Sequence, residues 1–286
     1  MKILVTVKQV PDTSGKVAVN PDGTLDRASM QTIINPDDLN AVEAALALKD
    51  ELGCKVVAFT MGPPPAEGML RELMAMGVDE GVLITAREFG GSDTYATSQI
   101  IAAGIDTYGV EDDDIILAGR QAIDGDTAQV GPQVAQKLGL NQVTYAESIE
   151  KCEDGKLTIR RLIDGGAETV EAPMPVVVTV NGSAAPCRPC NVKLVMKYKR
   201  ATAPMERTDD MPYKELYDER PYLTLNQWSV ADVDGDPQQC GLSGSPTKVK
   251  AVKNIVFQAK ESKTLTGSDA DVEGLIKELL NEKIIG

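Results

Sequence analysis

Hydrophobic residues follow two alternating patterns over roughly the first half of the chain. Short apolar runs at residues 3–7, 56–60, 82–85 and 115–118 have the length and composition of buried strands. Apolar residues at helical spacing follow, for example Leu39, Val42 and Leu46. Strands that alternate with helices predict an α/β fold, in which a Rossmann-like, doubly wound and mainly parallel sheet carries helices on both faces.

After Gly139 the apolar residues alternate with polar ones, as in half-buried strands. Such segments lie at 148–152, 156–162, 168–171 and 176–180, and the first two flank the turn sequence Glu153-Asp154-Gly155. The alternation predicts an antiparallel extension of the sheet.

The last part of the chain has a different composition. Residues 205–244 are rich in proline and charge and show no sustained periodicity, whereas 270–284 have the spacing of an amphipathic helix. We therefore predict a nucleotide-binding α/β domain with its extension at 1–204, and a C-terminal arm and helix at 205–286 that contact a partner subunit, unless the helix closes the domain itself.

Four predicted strands end in loops with small or polar residues. These loops follow Val7, begin at Met61-Gly62, contain Gly90-Gly91, and span 119–131. The carboxyl ends of parallel strands share one edge of a sheet, which is where ligands bind in open α/β folds. The loops together therefore predict a nucleotide site.

The loop at 119–131 carries the strongest signal of the four. Asp126 and Gln129 have the spacing of a helix cap with its reciprocal partner, which predicts a helix that begins at Thr127. Pro132 would remove a hydrogen-bond donor from that helix, so we expect an irregular first turn with N–H groups left free for a ligand. The loop fits neither the G-x-G-x-x-G nor the Walker lysine pattern, so the residues alone leave the nucleotide open.

Composition narrows the class of protein. The net charge of −14, from 29 basic and 43 acidic residues, argues against nucleic-acid and anionic-membrane surfaces. No apolar run has membrane-spanning length, and the first strand ends at Lys8, too early for a signal peptide, so we expect a cytoplasmic protein. Histidine is absent, which excludes Ser-His-Asp and Cys-His catalysis and histidine metal sites. We expect chemistry borrowed from a cofactor, with no catalytic side chain and no metal.

Two other motifs carry weak signals. Cys187 and Cys190 have redox-dithiol spacing, but no second pair completes a zinc site and no thioredoxin-like pattern surrounds them, so incidental thiols are favoured. Residues 232–236 resemble a calcium loop, but Ser243 stands where a bidentate glutamate is required. We reject a calcium site.

Several segments together resemble the β subunit of electron transfer flavoproteins. They are VKQVPDT at 7–13, NPDDLNAVEAALALKD at 35–50, MGP at 61–63, AMGVDEG at 75–81, GRQAIDGDTAQVGP at 119–132 and IRRLIDGGAETVEAPMPVVVT at 159–179. The resemblance covers about residues 1–201 in order. It implies a heterodimer with an α subunit that carries FAD. In ordinary members the β subunit holds AMP, and in electron-bifurcating members a second FAD takes hydride from NADH.

The resemblance and the strand-end positions together imply the nucleotide contacts. They are Thr6, Asn35, Pro36, Asp37, Asp38, Met61, Gly62, Gly90, Gly91, Asp124, Gly125, Asp126, Thr127, Ala128, Gln129, Val130, Gly131, Pro132, Gln133, Val134 and Ala135. Backbone N–H groups at 127–131 would bind pyrophosphate, whereas the carboxylates of Asp124 and Asp126 suit ribose hydroxyls or helix capping. The loop at 124–132 and the Gly90-Gly91 pair resemble the bifurcating branch, so we expect FAD, with NADH as hydride donor and AMP as the alternative.

The resemblance also implies redox partners. The segment 184–200 corresponds to the family's partner-recognition loop, in which Leu194 is the expected apolar anchor and Lys197 and Lys199 steer the encounter. The expected partner is a flavin dehydrogenase of the acyl-CoA dehydrogenase, acyl-CoA reductase or lactate dehydrogenase type, with ferredoxin as a second acceptor. A different class of protein, a stand-alone nucleotide-binding sensor of similar fold, is the remaining alternative.

Overall fold

The computed structural model describes residues 1–12, 32–248 and 262–285. In chain order its first elements are β1 (Lys2–Thr6), β2 (Gln9–Pro11), β3 (Thr32–Ile34), α1 (Pro36–Leu52), β4 (Lys55–Met61), α2 (Glu67–Met76), β5 (Glu80–Ile84), α3 (Thr94–Tyr108), β6 (Ile115–Gly119) and α4 (Val130–Leu138). They are followed by β7 (Asn141–Glu153), β8 (Lys156–Ile163), β9 (Gly166–Pro173), β10 (Val176–Val180), α5 (Val192–Tyr198), α6 (Leu216–Glu219), β11 (Asn226–Trp228), α7 (Gly241–Gly244) and α8 (Asp269–Asn281). The alternation predicted for the first part of the chain is confirmed, and the hairpin turn that the sequence predicts at 20–23 lies outside the described residues.

The described strands form a nine-stranded sheet in the order β11-β5-β4-β1-β6-β10-β7-β8-β9, and β2 pairs with β3 separately. The pairs from β11 to β7 are parallel, with Ile3 opposite Val56 on one side and Ile115 on the other. From β1 the chain moves outward to β4 and β5, and then returns to the opposite side of β1 with β6. The strand order therefore reverses between β1 and β6, which confirms the doubly wound prediction.

Helices cover both faces of this sheet, and successive strand residues enter different cores. Ile3 and Val5 pack with α1 and α2 on one face, whereas Leu4 packs with α3 and α4 on the other. All three side chains have no exposed surface. Complete burial of such a side chain stabilises the fold by about 1.5–3 kcal/mol, so the apolar runs of the sequence specify a strand buried on both faces.

Helix ends follow local sequence signals. Pro36 occupies the first turn of α1, and Gly53 ends the helix in the left-handed region with its N–H bonded to the Lys49 carbonyl. Asp93 caps α3 by accepting a bond of 3.0 Å from the Ala96 N–H. The sequence pattern predicts a helix at 94–108, and α3 has these bounds.

The antiparallel extension consists of β7, β8 and β9. Asp154 and Gly155 both have positive φ, at 51° and 73°, which is the backbone of a tight hairpin turn. The prediction that 176–180 belong to this extension was wrong, because β10 lies between β6 and β7 and is parallel to both. Its five residues are all buried, as in a central parallel strand.

The chain divides into two compact units, Met1–Val249 and Lys250–Gly286. Most of the predicted arm belongs to the first unit, since β11 extends the sheet beside β5 and Trp228 packs 6.0 Å from the Phe59 ring. The division thus falls at 249/250, whereas composition alone suggested 204/205. The second unit contains α8, which Ser268 caps. Contact between this part and a partner subunit stays a prediction. None of the described helices is long and apolar enough to cross a membrane.

Candidate nucleotide-binding site

The carboxyl ends of β1 and β6 flank the point where the strand order reverses. Thr6 ends β1, Gly119 ends β6, and α1 begins beside them at Pro36. Backbone that leaves a sheet here has lost its strand partners, so its N–H and C=O groups need others. Two side chains at the start of α1 supply most of them.

Asn35 joins three segments at this point. Its own N–H donates to the Lys8 carbonyl at 2.9 Å, its side-chain Nδ2 donates to the Gln121 carbonyl at 2.8 Å, and its Oδ1 accepts from the Ile123 N–H at 3.0 Å. The residue is completely buried. Asn35 therefore fixes the loop after β6 against the end of β1, and its side chain faces the protein interior.

Asp38 bridges the same two strands. Its Oδ2 accepts from the Lys8 N–H at 2.8 Å and its Oδ1 accepts from the Gly119 N–H at 3.1 Å. Burial raises the pKa of Asp38 to about 7, although these two hydrogen bonds oppose the shift. The neighbouring Asp37 is also buried and accepts from Arg120 Nε at 3.1 Å. Both carboxylates are thus engaged by the protein and position the loops.

The loop at 124–129 is an exposed, irregular turn. Asp126 and Ala128 have positive φ, at 50° and 52°, and α4 begins only at Val130. The capping prediction was wrong, because the Asp126 carboxylate accepts from Gln121 Nε2 at 2.8 Å and leaves the helix start alone. Residues of positive φ turn successive N–H groups toward one side, as in backbone anion sites.

Three consecutive N–H groups at the end of this turn have no acceptor in the described part of the chain. Those of Thr127, Ala128 and Gln129 donate to no acceptor among the residues that the structure describes. They precede α4, whose N-terminal end favours negative charge. The irregular turn agrees with the sequence prediction, and the direction of its N–H groups is suited to an anion.

The glycines of this region serve packing more than ligand approach. A Cβ on Gly119 would lie 2.2 Å from Asp38 Oδ1, and one on Gly131 would lie 2.6 Å from Thr179 Cγ2. These positions bring α1 against β6 and α4 against β10. Gly125, by contrast, has no atom within 4 Å of such a Cβ. The surface at Gly125 is therefore open to a ligand, and Gly119 and Gly131 allow the helices to pack closely on the strands.

The start of α4 is tied to α3 through its polar residues and to the sheet through its apolar ones. The side-chain carbonyl of Gln129 accepts from Thr94 Oγ1 at 2.8 Å, and that of Gln133 accepts from Ser98 Oγ at 3.0 Å. Val134 and Ala135 are buried in the core. Val130 and Pro132 are half-buried. Of the predicted contacts on α4, Val130, Pro132 and Gln133 are therefore partly exposed, whereas Gly131, Val134 and Ala135 are buried.

The other predicted contacts at strand ends lie on the same edge of the sheet but differ in their exposure to solvent. Thr6, Met61 and Gly62 are half-buried and Pro36 is exposed. Gly91, with φ of 76°, packs against α7, since a Cβ there would lie 2.7 Å from Leu242 Cγ. The loop that contains Gly90 and Gly91 thus contacts the chain's own C-terminal segment.

Sequence reasoning missed one charged residue of the site. Lys8 follows β1, and its Nζ lies 2.7 Å from both Oδ1 and Oδ2 of Asp124. Its position directly after a strand on the ligand-binding edge was the available signal. The pairing itself joins residues far apart in the chain and could not be anticipated.

Comparison with known proteins identifies the family. The model of the "Electron transfer flavoprotein domain" matches residues 22–209. The chain belongs to the electron transfer flavoprotein family. It is 45% identical to the electron transfer flavoprotein subunit beta of Clostridium acetobutylicum, over 87% of this chain and 86% of that protein. It therefore belongs with the family's β subunits, and its role lies in electron transfer.

Two further relatives are named for reductase systems. The chain is 49% identical to the acryloyl-CoA reductase electron transfer subunit gamma of Anaerotignum propionicum, over the full length of both proteins. It is 44% identical to the caffeyl-CoA reductase-Etf complex subunit CarD of Acetobacterium woodii, over 87% of this chain and 86% of that protein.

The segment that the family resemblance assigns to partner recognition lies against α1 and α2. Arg188 binds Glu43 at 2.9 Å and Asp50 at 2.7 Å, and its backbone N–H also donates to Glu43. Leu194 is half-buried against the main core. Lys197 and Lys199 are exposed. The most exposed apolar side chains of α5 are instead Val192 and Met196, at 77% and 66%.

The two cysteines of this segment are packed thiols. Cys187 Sγ lies 3.7 Å from Met76 Sδ, and Cys190 Sγ lies 3.8 Å from the Glu72 carbonyl. Burial raises the pKa of Cys187 to about 11 and also raises that of Cys190. Neither is in a disulfide, and the described residues contain no cluster suited to a metal ion. A raised pKa leaves little thiolate at neutral pH, which argues against redox chemistry here.

Gly119→Ala is expected to destabilise the protein by roughly 1–3 kcal/mol, because its Cβ would push α1 away from β6. Gly125→Ala is the matched control on the same loop and should change the free energy of unfolding by no more than about 0.5 kcal/mol. Urea unfolding measures both. Equal stability of the two variants would contradict the packing role of Gly119.

Asp38 should make stability depend on pH. Its folded pKa of about 7 lies above the unfolded value, so the stability that it contributes is complete below about pH 4 and is lost as the pH rises through 7. Between pH 5 and pH 8 we expect the free energy of unfolding to fall by roughly 2–3 kcal/mol relative to Asp38→Asn, which does not titrate. Parallel curves for the two proteins, measured by urea unfolding at each pH, would show that Asp38 is already ionised at pH 5.

Proposed function

We propose that this chain is the cytoplasmic β subunit of a heterodimeric electron transfer flavoprotein, and that its site binds FAD and receives hydride from NADH. The observation that carries the proposal is the turn at 127–129, whose N–H groups find no acceptor among the described residues and lie beside the point where the strand order reverses. Donors in this arrangement fit a phosphate group at the start of a helix. Electrons would then pass to the FAD of the α subunit and on to a partner dehydrogenase.

The donor set fits a pyrophosphate better than a single phosphate. Thr127, Ala128 and Gln129 offer consecutive N–H groups, and the space at Gly125 extends the surface on which a longer ligand can lie. A dinucleotide carries two phosphates where AMP carries one. This difference supports FAD as the β-site ligand.

In the proposed mechanism the chain's own residues bind and orient the nucleotide. Asn35 and Asp38 hold the two strand ends at a fixed spacing, and the N–H groups of 127–129 hold the phosphates. Bound FAD would supply the redox chemistry, since a flavin can accept a hydride and pass its electrons on singly. No histidine is required for these steps, which agrees with its absence from the sequence.

One observation favours the alternative, a β subunit that binds AMP as a structural ligand. The resemblance to the bifurcating branch suggests the Gly90-Gly91 loop as the contact for the nicotinamide nucleotide, but this loop packs against Leu242 of α7, in the same chain. Entry of NADH beside this loop would require that segment to make room. The AMP reading needs no such movement.

Cofactor content of the purified heterodimer separates the two functions. We expect about two FAD per heterodimer, measured by absorbance and by chromatography of the acid-released nucleotides. Rapid flavin reduction on mixing with NADH under anaerobic conditions should accompany this content. One FAD together with one AMP, and no reduction by NADH, would favour the structural alternative.

Docking of the partner dehydrogenase is proposed for the exposed side of α5. Val192 and Met196 are the apolar contacts there, and Lys193 and Lys199 beside them are exposed cations. Apolar anchors contribute most to affinity, and surrounding charges mainly raise the association rate. The relatives named for acryloyl-CoA and caffeyl-CoA reductases support a partner that acts on acyl-CoA esters. Ferredoxin as a second acceptor belongs to the same proposal.

Met196→Ser should slow electron transfer to the dehydrogenase about tenfold, because it removes an exposed apolar anchor of docking. Met205→Ser is the matched control, since Met205 is also half exposed but lies outside α5. Flavin content should be unchanged in both variants, and stopped-flow kinetics give the rates. Leu194→Ala is less suitable, since Leu194 packs on the core. Equal rates for the two serine variants would remove α5 from the docking surface.

A further inference from the structure

We propose that Lys8 is a phosphate-binding residue of the nucleotide site, and that Asp124 is its counter-ion, which the nucleotide displaces. The inference rests on the proposed nucleotide site and adds a positively charged side chain, that of Lys8, to the groups that bind the phosphates. The loop at 119–131 otherwise offers backbone donors and carboxylates to an anionic ligand. If the ammonium group of Lys8 exchanges the Asp124 carboxylate for a phosphate, an anionic ligand can bind beside this loop.

The backbone of Lys8 is fixed on both sides. Its N–H donates to Asp38 Oδ2 at 2.8 Å, and its carbonyl accepts from the Asn35 N–H at 2.9 Å. These bonds hold the residue at the carboxyl end of β1, directly on the ligand-binding edge. Only the flexible side chain is left free to choose a partner, and a lysine ammonium can donate in several directions.

The pair of Lys8 with Asp124 is suited to exchange. The two side chains are 50% and 31% exposed, so water screens their attraction and the ion pair contributes little to stability. The N–H groups of 127–129 follow Asp124 closely in the chain. A phosphate bound on those donors would compete with the carboxylate for the same ammonium group.

The other charges at these strand ends leave this role to Lys8. Arg120, which follows β6, binds the buried carboxylate of Asp37. Asp126 is exposed on the same loop and accepts from Gln121. An anionic ligand would therefore meet carboxylates on the loop, and among the residues that the structure describes at these two strand ends Lys8 is the lysine that can offset them.

The test compares both halves of the ion pair in the full heterodimer, after bound nucleotide has been washed out at high salt. Dissociation constants for adenosine, AMP and ADP are measured by equilibrium dialysis. Lys8→Gln should weaken ADP binding about tenfold and leave adenosine binding unchanged, because only the phosphates contact the ammonium group. Asp124→Asn should tighten ADP binding several-fold, because Lys8 is released.

Two controls make the outcome specific. Asp126→Asn removes the same charge from the same loop without touching Lys8, and it should tighten ADP binding less than Asp124→Asn does. In the Lys8→Gln background, Asp124→Asn should lose most of its effect, as a double-mutant cycle for coupled residues requires.

Three results would overturn the inference or its basis, and they differ from one another. If Lys8→Gln binds ADP as the wild type does, or loses adenosine and ADP equally, Lys8 is not a phosphate ligand. If Asp124→Asn weakens binding, the carboxylate itself contacts the ligand, for example at a ribose hydroxyl. If the wild type binds none of the three ligands, nor FAD, the proposed nucleotide site is wrong.

Discussion

The structure depends on a buried polar junction where the strand order reverses. Parallel strands β1 and β6 end side by side, and the chain leaves them toward different helices, so their terminal backbone groups lose strand partners. Asn35 and Asp38 satisfy these groups with hydrogen bonds of 2.8–3.1 Å. Burial disfavours the charged form of a carboxyl group, and for this reason the pKa of Asp38 is raised. In return the junction holds a ligand-binding loop at a defined position without any metal or disulfide in the described residues.

Helix α1 connects the two surfaces to which function is assigned. Its first turn carries the polar junction, and further along the same helix Asn40 donates to the carbonyls of Ala184 and Ala185 at 3.0 and 2.9 Å. Glu43 then binds Arg188 of the proposed docking segment. The nucleotide loop and the docking segment therefore rest on one rigid element. The apolar stripe of α1 packs into the core, and its polar residues contact both surfaces. A change in the packing of α1 would therefore affect both surfaces.

Much of the fold could be predicted because its signals are local. Apolar runs flanked by turn residues gave the parallel strands β1, β4, β5 and β6, and a segment of small and polar residues that ends at Asp93 preceded the helix predicted at 94–108, which is α3. The Asp154-Gly155 turn followed from the preference of these residues for positive φ. The meeting of these strand-end loops at one edge also followed, because carboxyl ends of parallel strands lie on one side of a sheet. The family emerged from motifs that are continuous in the sequence, and the comparisons confirmed it.

The sequence by itself thus determined the alternation of strands and helices in the first part of the chain, the sheet edge at which their loops meet, and the family, since each depends on neighbouring residues. Only the tertiary structure decided which groups meet at that edge. β10 returns between β6 and β7, Asp126 bonds Gln121 instead of capping α4, and Gly91 packs against Leu242. Lys8 pairs with Asp124, which lies 116 residues further along the chain. Such contacts join residues distant in the chain, and the choice among possible partners depends on packing and burial, which no local pattern encodes.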